Sequence, residues 1–214
     1  MWFYRIMSWF IKITGFIPYL FCYRTKVYHE DKKHNSLKIK GKAIVASNHN
    51  AVMDVAAMLY VLWRRTPRTL VAEVMYTKNV FIRFTLKALG CIKVNRDAHD
   101  LSFMDKCNKI LDKGGLIEVY PESRLARKGE EKPLPFKPST VYMALSSGAP
   151  IIPIYNDGKY GGKKGASAMV GKPFYARDYY DDNLSERENA EIITEKLRDR
   201  IIELKDELDK RTKK

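Results

Sequence analysis

Short apolar runs recur along most of this chain, separated by stretches with helical spacing, and no other feature restricts its fold as tightly. AIVAS at 43–47, TLVAEVM at 69–75, CIKV at 91–94, LIEVYP at 116–121, PIIPIY at 150–155 and SAMV at 167–170 read as strands. LKIK at 37–40 alternates like a strand with one wet face. Between these runs, 53–63, 79–89, 97–112 and 139–147 read as helices, the last three ending at or just before a glycine. Near the C-terminus, Ile193, Leu197, Ile201, Leu204 and Leu208 form one stripe among charges, which predicts an amphipathic helix. Strands that alternate with helices assemble into a largely parallel sheet flanked by helices. The expectation is therefore a single α/β domain, spanning 35–214. Functional side chains in such sheets gather beyond the carboxyl ends of the strands.

The first 24 residues form a separate unit. MWFYRIMSWFIKITGFIPYLFCYR is rich in aromatic and aliphatic side chains, and Arg5 and Lys12 interrupt it. A spanning helix needs about 20 apolar residues, and the charge-free part covers only 13–23. FCYRTK is no signal-peptidase site. The segment is expected to lie as a helix in a bilayer surface, with Trp2, Tyr4, Trp9, Tyr19 and Tyr23 at headgroup level. Arg5 and Lys12 are expected to snorkel toward anionic lipid, and Pro18 to break the helix. The competing reading packs this helix on the domain or on a second subunit.

The net charge of +14 suits a polyanionic partner. No arginine-rich arm or zinc-finger spacing appears, so nucleic acid is not an expected partner and an anionic membrane surface is. Three unpaired cysteines without a cleavable leader point to a reducing compartment. Cys22 and Cys91 read as small buried hydrophobes.

The polar residues after the strands are the informative ones. NHNAVMD follows the run at 43–47 and puts His49 five residues before Asp54. A neutral imidazole takes a proton from a hydroxyl near neutral pH, best when a carboxylate holds its other nitrogen. NRD follows CIKV and supplies Arg96; PESR follows LIEVY and supplies Glu122, Ser123 and Arg124. The arginines suit an anion such as a phosphate. The chain has no G-x-S-x-G elbow and no phosphate loop, and its other histidines lack metal-ligand spacing. A base acting directly on a substrate hydroxyl fits best. The basic loop GKYGGKKG at 158–165 is a further candidate for an anion contact. Taken singly, each of these residues also has an ordinary structural reading.

In order, NHNAVMD, GCIKVNRD, VYPESR and GAPIIPIY resemble the four conserved blocks of the glycerolipid acyltransferase family, across 43–155. The resemblance implies a fatty acyl transfer from acyl-CoA or acyl-ACP to the sn-2 hydroxyl of 1-acylglycerol 3-phosphate, in phospholipid biosynthesis. It implies His49 as general base, Asp54 as its orienting partner, Arg96 on the substrate phosphate, Glu122 in the acceptor site and Pro153 shaping the acyl-donor side. No metal or redox cofactor is implied. The implied partners are a lysophospholipid, an acyl thioester (on an acyl carrier protein if not on CoA), and the cytoplasmic face of the cell membrane, held peripherally or monotopically. Two departures stand out: Ser123 replaces the usual glycine, and Arg124 follows it directly where the arginine is usually one residue later. They leave another acceptor open, namely a different lysophospholipid, glycerol 3-phosphate or an amino-acid-containing lysolipid. A non-catalytic peripheral membrane protein is the remaining alternative.

Overall fold

A computed structural model of the chain describes residues 2–31, 39–95, 102–162 and 165–212. In chain order the elements are α1 (Trp2–Thr14), α2 (Phe16–Cys22), β1 (Thr25–His29), β2 (Ala43–Ser47), α3 (Asp54–Val61), β3 (Arg68–Ala72), α4 (Val80–Ala88), β4 (Ile92–Val94), α5 (Ser102–Asp112), β5 (Leu116–Val119), α6 (Ser139–Ser147), β6 (Ile151–Asn156), β7 (Ala166–Val170) and α7 (Glu186–Thr212). The strands form a seven-stranded sheet in the order β1-β7-β6-β2-β5-β3-β4. Every pairing is parallel except β6 with β7. The α/β architecture expected from the strand–helix alternation is therefore present, as a mixed, mostly parallel sheet.

Alternation along β2 sets the two layers. Ile44 and Ala46 join the cluster built with α5, α6 and α7, through Cys107, Leu111, Met143, Ile193 and Leu197. Ala43 and Val45 join Met58, Val61 and Leu62 at α3 on the other face. The stripe of α7 is buried along its whole length, from Ile193 to Leu208. Three local differences separate the sequence reading from the fold. Thr25–His29 forms a strand beside β7, in register from Thr25 with Ala166 to His29 with Val170. Its short, half-buried pattern carries no strict alternation. The run at 69–75 is a strand only to Ala72, and Glu73–Tyr76 turns into a 3-10 helix. The stretch at 37–40 is no strand at Ile39 and Lys40, and its first two residues lie outside the described ones.

The N-terminal segment is two helices, and the break falls at Gly15 rather than Pro18. Pro18 sits in the first turn of α2, where its missing N–H costs nothing. Gly15 is needed for close packing: a Cβ there would meet the Tyr60 hydroxyl at 2.5 Å and the Ile11 carbonyl at 2.9 Å. One face of the pair docks on α3 and the loop after it. Tyr19 stacks on Tyr60 at 4.0 Å, Trp9 meets Trp63 edge-on, and the Tyr4 hydroxyl donates to the Thr66 carbonyl at 2.7 Å. Lys12 does not snorkel outward. It is buried and donates to the Leu62 and Trp63 carbonyls at 3.2 and 2.8 Å, satisfying acceptors that the end of α3 leaves open. Burial pulls its ammonium down to about 8. Cys22, expected inside, is exposed, because α2 turns its far side away from the domain.

One carboxyl is enclosed within the sheet. Glu118 lies directly across from Thr69 of β3, and Tyr120 follows two residues on, on the same face. The Thr69 and Tyr120 hydroxyls donate to its two oxygens, at 2.5 and 2.7 Å. Burial, the largest influence, still raises the carboxyl from 4.5 to about 7. The folded chain thus keeps a proton that the unfolded chain loses. The stabilisation from this group is complete below about pH 4.5 and disappears as pH rises through 7. Glu118→Gln offers the two hydroxyls one acceptor oxygen and one amide donor, so one contact reverses direction, and it does not titrate. The prediction is that wild-type stability relative to Glu118→Gln falls by up to ~3 kcal/mol between acid and mildly alkaline pH. Urea unfolding of both proteins across that range measures it, and a pH-independent difference would refute it.

Candidate active site

The carboxyl ends of β6, β2 and β5 lie side by side in the sheet, and the residues beyond them converge. Asn48 and Asn156 lock two of these ends together. The Asn156 amide donates to Asn48 Oδ1 at 2.7 Å, and Asn48 Nδ2 donates to the Asn156 carbonyl at 2.9 Å. The chain then turns from β2 into α3 over six residues. That turn returns Asp54, the first residue of α3, to His49: Nδ1 lies 2.8 Å from Asp54 Oδ2.

Asp54 has no exposed surface, yet its oxygens meet four groups. Besides the imidazole, Oδ2 accepts from the Asn50 and Ala51 amides at 2.6 and 2.9 Å. Oδ1 accepts from the Tyr160 hydroxyl at 2.6 Å. Its place in the first turn of α3 adds the favourable end of the helix dipole. Tyr160 also accepts a hydrogen bond from Asn156 Nδ2. Burial and the adjoining carboxylate push its phenol far above its ordinary value, so it stays a donor. With Nδ1 turned to the acid, the other imidazole nitrogen, Nε2, can accept a proton when the ring is neutral.

The imidazole stacks on the Tyr120 ring, with centroids 4.4 Å apart and planes 28° apart. Its side chain is 14% exposed and lines a cavity of about 350 Å³. The lining of that cavity is mostly aliphatic and aromatic, from Val52, Leu70, Met75, Leu86, Val94 and Phe103 among others. Ser123 and Arg124 lie on its lining with His49. Such a site can present a base to a polar group while an apolar chain fills the space behind it.

The other expected residues are distributed unevenly. Glu122 is buried, and its two oxygens accept from the backbone amides of His49 at 2.7 Å and Leu134 at 2.9 Å. It thus clamps the histidine loop to the segment at 130–134. Burial raises its carboxyl despite these donors. Ser123 has φ of 61°, the left-handed conformation that a glycine adopts without strain. Arg124 makes two hydrogen bonds to Glu130, at 2.6 and 2.8 Å, on the exposed side of the site. Pro153 is inside β6, opposite Ala46, away from the cavity lining. Arg96 lies outside the described residues, as do Lys163 and Lys164 of the basic loop. Among the described residues no three His, Cys, Asp or Glu side chains group as metal ligands. Sequence reasoning missed Tyr120 and Tyr160. The second stands in the very loop singled out for its lysines.

A model of the family described as Acyltransferase matches residues 24–156. A 1-acyl-sn-glycerol-3-phosphate acyltransferase of Bacillus subtilis (strain 168) is 25% identical over 189 residues, 86% of this chain and 89% of the relative. The human 1-acyl-sn-glycerol-3-phosphate acyltransferase beta is 23% identical over 150 residues, 70% of this chain and 51% of the relative. The fold resembles the crystal structure of the 1-acyl-sn-glycerophosphate (LPA) acyltransferase PlsC from Thermotoga maritima, with a TM-score of 0.64 and 19% identity. That likeness covers 94% of this chain and 79% of the other. The family match spans more than half the chain, including the segment where His49, Asp54 and Glu122 meet, and the protein belongs to the glycerolipid acyltransferase family.

Proposed function

We propose that the protein transfers a fatty acyl group from acyl-CoA or acyl-ACP to the sn-2 hydroxyl of 1-acylglycerol 3-phosphate. The observation that supports this reading most is the His49–Asp54 pair beside an apolar cavity. Nε2 of His49 takes the proton of the acceptor hydroxyl as its oxygen attacks the thioester carbonyl. A C–O bond forms and the carbonyl becomes a tetrahedral oxyanion. On its collapse the C–S bond breaks, and the imidazolium returns its proton to the departing thiolate. Asp54 orients the ring and stabilises its charged form. The donor's acyl chain occupies the cavity. Arg124 holds the acceptor phosphate beside Ser123, and the resemblance gives Arg96 the same phosphate. Glu122 holds the backbone of His49 in place, and Pro153 shapes the donor side through β6.

A membrane role for 1–24 follows from what α1 and α2 leave uncovered. Ile13, Ile17 and Phe21 are 65%, 67% and 82% exposed, and Phe81 of neighbouring α4 is 77% exposed. Among the described residues no helix is long and apolar enough to cross a membrane. This surface supports peripheral or monotopic attachment, and the unpaired cysteines, suited to a reducing compartment, favour the cytoplasmic face. A second reading keeps the reaction and changes the acceptor. The Arg124–Glu130 pair favours it, because an arginine already bound by a carboxylate must exchange that partner for a phosphate.

His49→Ala is expected to lower acyl transfer by about 1,000-fold or more while the far-ultraviolet spectrum is unchanged. Thiol release from an acyl thioester with lysolipid present measures it, and near wild-type turnover would reject His49 as the base. Ala72→Phe, which fills part of the cavity, should shift preference toward shorter acyl donors by about tenfold. Competition between donors of two lengths reads that shift, and unchanged selectivity would separate the cavity from the acyl chain.

A further inference from the structure

A second cavity, of about 530 Å³, lies at the opposite pole of the sheet. Arg68 and Leu116, the first residues of β3 and β5, contribute to its lining. The start of α1, the loop after α3 and the end of α5 complete it. Six cations line it, Arg5, Arg64, Arg65, Arg68, Lys109 and Lys113, and no aspartate or glutamate does. Two of the six have work within the fold. Arg65 donates to the Ile39, Gly41 and Gly114 carbonyls. Arg68 stacks over the Tyr4 ring at 4.6 Å.

The remaining four pair with no carboxylate among the described residues. Elsewhere on the surface cations do find partners, as in Lys93 with Glu73, Arg187 with Glu191 and Arg211 with Glu207. Cations gathered around one concavity repel each other, and the field they focus attracts an anion. The rim narrows the choice of anion. On α1, Ser8 and Lys12 face the domain, while Ile6, Phe10 and Ile13 are exposed. At 100° per residue, Arg5 and Trp9 fall on the flank between those two faces. Trp9 therefore lines the basin and borders the apolar stripe, packed edge-on to Trp63 at 5.5 Å. A small soluble anion would use the cations alone. A lipid would use the cations, the indoles and the stripe together.

We propose that this basin is a second lipid site, taking the phosphate-bearing headgroup of an anionic glycerophospholipid while its chains run along the exposed stripe of α1. The proposal rests on the reading that the protein works at a bilayer surface. It is separate from the acceptor site, which lies at the other end of the strands.

The test uses the whole protein, phosphatidylcholine vesicles with and without phosphatidic acid, and flotation to read binding. Arg64→Gln with Lys113→Gln alters the basin. Lys196→Gln with Lys210→Gln removes the same charge from α7, which contributes nothing to the lining of the basin. All four side chains are exposed, so folding is not at stake. Partitioning onto the anionic vesicles should fall about 30-fold in the basin variant and far less in the control. Equal losses in both variants would overturn the proposal, as would equal wild-type binding to neutral vesicles. A third arm titrates inorganic phosphate and follows the fluorescence of Trp9 and Trp63. Saturation there without any preference for anionic vesicles would leave a free-phosphate site and overturn the lipid assignment. Thiol release with a short-chain, water-soluble acceptor should be unchanged in the basin variant. Wild-type protein that binds anionic vesicles through the basin yet releases no thiol would sink the acyltransfer reading and leave this one standing. Intact thiol release with no difference between the two variants would sink this proposal alone.

Discussion

Asp54 is a carboxylate with no solvent, and the fold around it is arranged to supply hydrogen bonds in place of water. Its partners come from two stretches: the turn at 49–51, and Tyr160 more than a hundred residues later. A buried carboxylate that lost these donors would face a desolvation cost of several kcal/mol. The same contacts orient His49, so the interactions that make the acid tolerable also fix the imidazole proposed as the base. Glu122 repeats this logic on the other side, by taking the His49 amide and the Leu134 amide. The histidine is held through its ring by Asp54 and Tyr120 and through its backbone by Glu122.

Much of this was legible in the sequence, for identifiable reasons. Buried parallel strands are continuous apolar runs, and AIVAS and PIIPIY are visible as such without context. The α7 stripe has helical period over five residues and is buried as its pattern requires. His49 and Asp54 were found because their contact spans one turn of chain. Tyr160 was not found, because nothing local ties it to Asp54; only the β6–β7 connection brings it there. Lys12 misled for a related reason. A lysine among aromatics reads as a snorkelling charge, and only the open carbonyls at the end of α3 give it a buried partner. β1 was missed because an edge strand with mixed burial has no pattern to read. Arg124 was legible as a cation but not as the partner of Glu130, which lies across an irregular loop.

The two cavities stand at opposite ends of the sheet and differ in chemistry. One is apolar with a histidine and an arginine on its lining; the other is cationic with tryptophans at its rim. α1 and α2 bridge them along one flank. Tyr4 anchors beside the basic basin, while Tyr23 meets Tyr160 and the Cys22 carbonyl accepts from the Gly161 amide near the His49–Asp54 pair. The N-terminal helices, whose outer face is apolar and exposed, are thereby tied mechanically to the loop that completes Asp54. The proposed attachment and the proposed catalysis therefore share structural parts, although the two cavities are separate.

The proposed chemistry depends most on which nitrogen of His49 carries the proton. Nitrogen NMR of the protein labelled at histidine reads the tautomer directly, with His49→Ala used to assign the signal. The expectation is a neutral ring protonated at Nδ1, toward Asp54, with Nε2 bare, and loss of that preference in Asp54→Asn. A ring protonated at Nε2 in the resting protein, or a tautomer indifferent to Asp54, would contradict it.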